Sequence, residues 1–528
     1  MNREARTTWL LLVGVALSVA ALQLLTGSIP PYGLFHDEFY YWAGALRPGL
    51  GYVDHPPLAP WVLAGSIALF GDGHLGFGIV PALCSAGTVI LTGRMAGSLG
   101  AGPFGQLLAA LAVAVTPVYL VFFSFYSVNC IELLAWTGAS FLLVELIRTG
   151  NERLWLGFGL IAGLALLNKH TFLLLVVALA VGVLATPMRR QLRSRTLWLG
   201  VAIALLIAAP NVYWNFANGW PSLEFYSTRG EGILDASVRL ALKIQILGMN
   251  PVNLLLWVPG LVFLLFSKEA RPYRPLGIAF LVLFVGILLS GQRRGDRIVG
   301  IYPIAFAAGA LVWDRWQPRL RVLVRGTLVA LLLGFGVLVL PPSLPLLPPA
   351  AVARYFEVIG EAPEVETGDR GASLPLYLSG RLEWERFARE VIGAWEKLPP
   401  EERDRTAILT SHWVFASVIE YYGRDGELPP VVSPHNAYYF WRAEAAGRDI
   451  VFSFDVHPDA LAASFGRTRE IGHFRCQYCT HIRTDRTFRL SYAPKRPLEE
   501  LLLGWRHFGI TSAEKLGASS GRGRYSTP

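Results

Sequence analysis

Thr8-Trp9-Leu10-Leu11-Leu12-Val13-Gly14-Val15-Ala16-Leu17-Ser18-Val19-Ala20-Ala21-Leu22-Gln23-Leu24-Leu25 is followed by His36-Asp37-Glu38-Phe39-Tyr40-Tyr41 and then by Tyr52-Val53-Asp54-His55-Pro56-Pro57-Leu58. The first stretch is close to the ~20 apolar residues a helix needs to cross a bilayer core. Carboxylates set among aromatics at the lip of such a span are expensive to keep, which makes Asp37 and Glu38 the first candidates for chemistry.

Working outward, comparable apolar runs recur near residues 77–98, 104–120, 130–148, 154–168, 171–186, 196–214, 251–267, 275–290, 299–313 and 321–341. With the run near 8–28 they predict a mostly α, polytopic membrane protein of about eleven transmembrane helices. The composition agrees, since 53% of the 528 residues are hydrophobic and only 16% are charged. Long apolar runs without strict alternation exclude a barrel wall. The net charge of +9 is accounted for by basic loops on the cytoplasmic side rather than by nucleic acid. Those loops carry Arg148 with Arg153, Arg189-Arg190-Arg193-Arg195, Lys268-Arg271-Arg274 and Arg315-Arg319-Arg321. Arg3 and Arg6 before the first run suit either a signal peptide or a retained helix, and its length favours the helix.

An odd span count puts the C-terminus outside, in a plasma membrane, with three outer segments: 28–76, 215–250 and the chain after the Pro-rich stretch Pro341–Pro349. The expected division is therefore a membrane domain, 1–345, whose first outside loop is 28–76, and an extracytoplasmic α/β domain, 346–528. In the loop, Asp37–Ala45 and Leu58–Phe70 have the spacing of interfacial helices. In the tail, Thr406–Thr410 and Asp449–Phe454 read as buried strands and Glu383–Glu396 as an amphipathic helix.

Cations on the outer face break the charge bias: Lys169-His170, Arg229, Lys243, and Arg293-Arg294-Gly295-Asp296-Arg297. Singly, each suits a side chain snorkelling to lipid headgroups. Together, near two carboxylates, they suit a phosphate at the bilayer surface. A carboxylate can take a proton from an attacking hydroxyl while cations stabilise a departing phosphate. An activated sugar outside the cell must arrive on a carrier lipid, so a polyprenyl-phosphate-linked sugar is the expected donor. A transporter or flippase of a lipid-linked sugar is the alternative that uses the same cations.

The order Asp37-Glu38, Tyr52-Val53-Asp54-His55-Pro56-Pro57-Leu58, Ser127-Val128-Asn129, Leu167-Asn168-Lys169-His170, Pro210–Asn215, Asn218–Phe225 and Leu428–Tyr439 resembles the protein O-mannosyltransferase and lipid A aminoarabinose transferase superfamily, in its bacterial glycosyltransferase family 39 branch. The resemblance implies a GT-C fold with its active site at the outer membrane face. It implies inverting transfer from a polyprenyl-phosphate sugar to an envelope glycan, lipid such as lipopolysaccharide, or exported protein. It makes Asp37 the general base or the acceptor-positioning carboxylate, with Glu38 in support, and Lys169, Arg293, Arg294 and Arg297 the donor-phosphate candidates. Asp54, His55, His170, Arg229 and Tyr302 complete the substrate-binding expectation. His36, Asp37, Glu38 and His55 are also candidates for a divalent metal ion, whereas Asp54-His55-Pro56-Pro57 suits equally a rigid turn into a helix. Cys476 and Cys479, in an oxidising compartment, are expected to form a local disulfide.

Overall fold

The structure is a computed structural model that describes residues 3–27, 29–230, 238–290, 294–316, 319–360, 373–479 and 485–509. It divides into two compact units, one of residues 1–30, 55–214 and 233–355, the other of residues 31–54, 215–232 and 356–528.

The first unit is helical throughout. Among the described residues, seven helices are long and apolar enough to cross a membrane: Arg3–Thr26, His74–Ser98, Val128–Thr149, Arg195–Ala217, Arg271–Leu289, Gly295–Arg315 and Arg321–Ser343. Two bent pairs raise the number to nine at most, one being Phe172–Leu184 with Pro187–Arg193 and the other Ala241–Gly248 with Pro251–Phe266. Three shorter apolar helices, Leu58–Phe70, Pro103–Ala114 and Leu154–Asn168, fall below this length, and two of them lie in runs that the sequence counted among the expected eleven. The apolar run at 104–120 is broken, because Pro117 cannot continue the helix Pro103–Ala114 and instead starts Pro117–Phe122. Leu154–Asn168 has 15 residues, about 22 Å at 1.5 Å per residue, short of a hydrocarbon core.

Small residues let these helices approach, as they must where lipid removes the hydrophobic drive. A Cβ on Gly260 would lie 2.1 Å from the Ala305 carbonyl oxygen, and one on Gly309 would lie 1.9 Å from that of Leu256. The two glycines therefore seat Leu254–Phe266 and Tyr302–Arg315 backbone to backbone.

The second unit holds a five-stranded mixed sheet in the order β2-β1-β3-β5-β4. Its strands are β1 (Thr406–Leu409), β2 (Val431–Val432), β3 (Ile450–Ser453), β4 (Phe465–Arg475) and β5 (Asp485–Pro494). The parallel pairing of β1 with β3 sets Thr406 opposite Ile450 and Leu409 opposite Ser453. Both strands are wholly buried, which is why they are short apolar runs rather than alternating ones. The predicted helix is present as Trp384–Glu396 and buries Trp384, Phe387, Ala388, Val391 and Trp395 along one stripe. The hairpin of β4 and β5 went unpredicted: β4 is an edge strand written Phe-Gly-Arg-Thr-Arg-Glu-Ile-Gly-His-Phe-Arg, and charge on an edge hides the strand pattern while blocking stray pairing.

This unit also takes in the helix His36–Leu46, which the sequence grouped with the membrane domain. Its aromatic face decides the matter. Phe39 meets Tyr421 at 5.1 Å and Trp384 at 6.3 Å between ring centroids, and Trp42 meets Tyr421 at 5.2 Å.

Candidate functional site

In the first unit, the polar turn Asn168-Lys169-His170-Thr171 interrupts two apolar helices, and Lys169 adopts an extended backbone that ends Leu154–Asn168. The turn is tied to the start of Val128–Thr149. Asn168 donates its side-chain amide to the Val128 carbonyl at 2.7 Å. The Lys169 ammonium donates to Asn129 Oδ1 at 2.7 Å and to Glu132 Oε2 at 2.6 Å. Thr171 donates its hydroxyl to the other oxygen of Glu132. Asn129 and Glu132 are three residues apart on one helix, so both face the same neighbour. An ammonium has three hydrogens, and among the described residues two of those on Lys169 are engaged. His170 Nε2 lies 3.0 Å from Asn211 Oδ1, and His55, turned by its Nδ1 contact of 2.9 Å with the Pro56 carbonyl, is close enough to act on His170 electrostatically.

A second cation stands at the next polar turn. Arg294 grips Asp296 with two hydrogen bonds, Nε to Oδ1 at 2.9 Å and Nη2 to Oδ2 at 2.8 Å. Lys169 is within electrostatic reach of Asp296, so Lys169, Glu132, Arg294 and Asp296 form one charge cluster. Arg297 follows, half-buried, in the turn Gly295–Ile301. Arg293 and the side chain of Arg229 lie outside the described residues. Tyr302, expected to bind substrate, is instead a core residue at 0% exposure. Its hydroxyl donates to Gln245 Oε1 at 2.8 Å, and its ring packs on Phe280 at 4.9 Å.

The carboxylates of the opening stretch belong to the second unit. Asp37 is 36% exposed and sits 3.2 Å from His36 Nε2. Glu38, in contrast, is buried at 3% exposure. Its Oε2 accepts from the Phe35 N–H at 2.6 Å, while its own N–H donates to the Phe35 carbonyl at 2.8 Å. It is also an electrostatic partner of buried Arg381. The backbone start of the helix therefore commits Glu38 to a capping task. Asp54 Oδ1 accepts from the Tyr40 hydroxyl at 2.9 Å, and the Tyr40 hydroxyl oxygen accepts in turn from the Ala437 N–H at 3.2 Å. Burial first, then the Asp54 charge, push the Tyr40 hydroxyl well above its ordinary range, so it stays a donor. Tyr40 stacks on Trp413 at 4.3 Å.

Behind this lies a histidine cluster that sequence reasoning missed. His412 meets His435 at 4.4 Å between ring centroids, and His435 stacks on His507 at 4.6 Å. Burial, then His507 and His36, pull the His412 ring down to about 3, with Asp37 opposing. Asp455 accepts from the Ser411 N–H and hydroxyl, both at 2.8 Å, and from the His412 N–H at 3.2 Å. Burial outweighs these donors and lifts its carboxyl to about 6.

Among the described residues no group of three or more His, Cys, Asp or Glu side chains is arranged to hold a metal ion. Two of the four proposed ligands are otherwise employed, Glu38 on the helix start and His55 Nδ1 on a carbonyl. Cys476 and Cys479 are joined by a disulfide. Glu132, Asn129, Asp296 and Asn211 were missed as site residues. A carboxylate in the first turns of the apolar run Val128–Thr149 was the signal that could have found Glu132.

Residues 54–214 match the family model described as dolichyl-phosphate-mannose-protein mannosyltransferase. A lipid A galacturonosyltransferase, RgtD of Rhizobium johnstonii, is 31% identical over 191 residues, which are 34% of this chain and 38% of that protein. The match thus spans well under half of the curated relative. Among solved structures, ArnT from Cupriavidus metallidurans bound to undecaprenyl phosphate superposes with a TM-score of 0.59 at 17% identity, over 91% of this chain and 97% of that one. The oligosaccharyltransferase AglB from Archaeoglobus fulgidus, in complex with an inhibitory peptide and a dolichol-phosphate, gives 0.52 at 12% identity, over 86% and 70%.

Proposed function

We propose, from the premise that this chain is a GT-C membrane protein of the glycosyltransferase family 39 type, that it moves a sugar from a polyprenyl-phosphate donor to an envelope glycan, lipid or protein acceptor. The transfer proceeds with inversion at the outer face of the plasma membrane. The observation that carries this reading is Lys169, held between Asn129 and Glu132 in a polar turn between two apolar helices, with Arg294 in the same charge cluster. Such a cluster binds a phosphate whose lipid tail lies among the helices. The polyprenyl phosphates bound to the two solved relatives support that choice of ligand.

The reaction then follows from charge. The acceptor hydroxyl gives its proton to the Asp37 carboxylate as its oxygen bonds to the anomeric carbon. The bond from that carbon to the phosphate oxygen breaks, and polyprenyl phosphate leaves with the electron pair. Lys169 and Arg294 stabilise the charge that gathers on the phosphate. Attack opposite the leaving group inverts the anomeric configuration.

The test incubates the purified chain with a panel of radiolabelled polyprenyl-phosphate sugars and envelope extract. The relative's name puts a galacturonate donor and a lipid A acceptor first in the panel. Wild type is expected to transfer label, and Asp37→Asn to transfer about 10²- to 10⁴-fold less. Equal transfer by the two proteins would remove Asp37 from its role. Lipid-linked sugar crossing liposomes without transfer would establish the transporter instead.

A further inference from the structure

Each cation of the charge cluster already has a carboxylate. Glu132 takes one hydrogen of Lys169 at 2.6 Å and is itself fixed by Thr171. Asp296 occupies Arg294 through both of its oxygens. The pair Lys169 and Glu132 is sheltered, with side-chain exposures of 19% and 10%, so neither charge is screened away by water. Among the described residues, Lys169 and Arg294 are thus each matched by a carboxylate, an odd composition for a site whose only task is to hold a phosphate tightly.

Resting on the reading of Lys169 as a donor-phosphate residue, we propose that Glu132 is a resident counter-anion that limits the affinity of the site for the phosphate product. The chemistry of the reaction explains the need. A polyprenyl-phosphate sugar is a phosphodiester with about one negative charge, whereas the polyprenyl phosphate released is a monoester carrying about −1.5 to −2 at pH 7. A cluster of uncompensated cations would hold the product more firmly than the substrate and would stall turnover. Glu132 offsets the ammonium while Asn129, a neutral acceptor on the same helix face, keeps it aimed. The ammonium hydrogen that has no acceptor among the described residues is left for one phosphate oxygen. Glu132 is thus a positioning residue that trades grip for release.

The sign of the effect separates this role from a structural one. The full-length protein in detergent micelles is titrated with undecaprenyl phosphate, comparing wild type with Glu132→Gln, Glu132→Asp, Lys169→Met and the double variant Lys169→Met with Glu132→Gln. Removing one negative charge at contact distance is expected to tighten binding by on the order of tenfold in Glu132→Gln. Glu132→Asp, which keeps the charge, is expected to bind as wild type does, and the double variant to lose the gain. Under multiple turnover, Glu132→Gln should also show stronger inhibition by added product. If Lys169→Met binds weakly while Glu132→Gln, folded by its thermal profile, binds no tighter than wild type, the counter-anion role is overturned alone. If Lys169→Met binds as well as wild type, the phosphate reading falls and takes the inference with it. Tightening by Glu132→Asp equal to that of Glu132→Gln would assign the effect to packing and overturn the charge argument.

Discussion

His412 ties the stability of the sheet-bearing unit to pH, and the size of the effect can be worked out. Its ring Nδ1 accepts from the Val414 N–H at 3.2 Å and so caps the helix Trp413–Gly423. A proton on Nδ1 would set a donor against a donor and place a positive charge at the positive end of the helix. The ordinary histidine value of 6.5 falls to about 3 in the folded unit. The folded pKa is depressed, so the unfolded chain binds the proton first. The stabilisation is complete above pH 6.5 and is lost as pH falls toward 3. From pH 7.5 to 4.5 the loss is about 2.6 kcal/mol, at about 1.36 kcal/mol per pH unit once below 6.5. Asn is a good N-cap that does not titrate, so His412→Asn keeps the cap and removes this one proton. Neighbouring groups, including His435, depressed by burial, and Asp455, raised to about 6, act with opposite signs, but they are common to both proteins and largely cancel in the difference. Denaturant unfolding of the two full-length proteins in detergent, followed by tryptophan fluorescence across pH 4.5 to 7.5, reads it out. The variant should gain on wild type by about 2.6 kcal/mol as the pH is lowered. A gap that stays constant with pH would show that His412 is not held neutral by burial.

Glu38→Ala should destabilise the second unit by about 3 kcal/mol, because Arg381 loses its buried counter-charge and the helix start its cap; Glu38→Gln should recover roughly 1 kcal/mol of that through the cap, as thermal unfolding would show. Gly309→Ala puts a Cβ 1.9 Å from the Leu256 carbonyl oxygen and should cost about 1–3 kcal/mol, whereas Gly286→Ala, with no atom within 4 Å, should be nearly neutral in the same detergent melt. Tyr40→Phe removes the acceptor of the Ala437 N–H and the donor to Asp54, and a loss of about 1–3 kcal/mol by denaturant unfolding is expected; no loss would mean that water or another group serves that N–H.

The membrane class was legible in the sequence because a bilayer leaves only one answer to long apolar runs: each backbone group must be satisfied within its own helix. The helices His36–Leu46, Leu58–Phe70 and Trp384–Glu396, and the strands β1 and β3, were legible for a related reason, since their periodicity is local. Span count was less so, because a run such as 104–120 keeps its hydropathy while Pro117 breaks its direction. The motif Asn168-Lys169-His170 marked a polar interruption, but the sequence could not pair Lys169 with Glu132, which lies 37 positions earlier. Nor could it separate Asp37 from Glu38. Adjacent on paper, the two side chains leave the helix in different directions, one to partial exposure and the other onto the backbone of Phe35. Composition and period thus determined the kind of molecule, because those forces act along the chain. Only the tertiary structure decided which charges meet, because a hydrogen bond depends on a distance that no sequence separation sets.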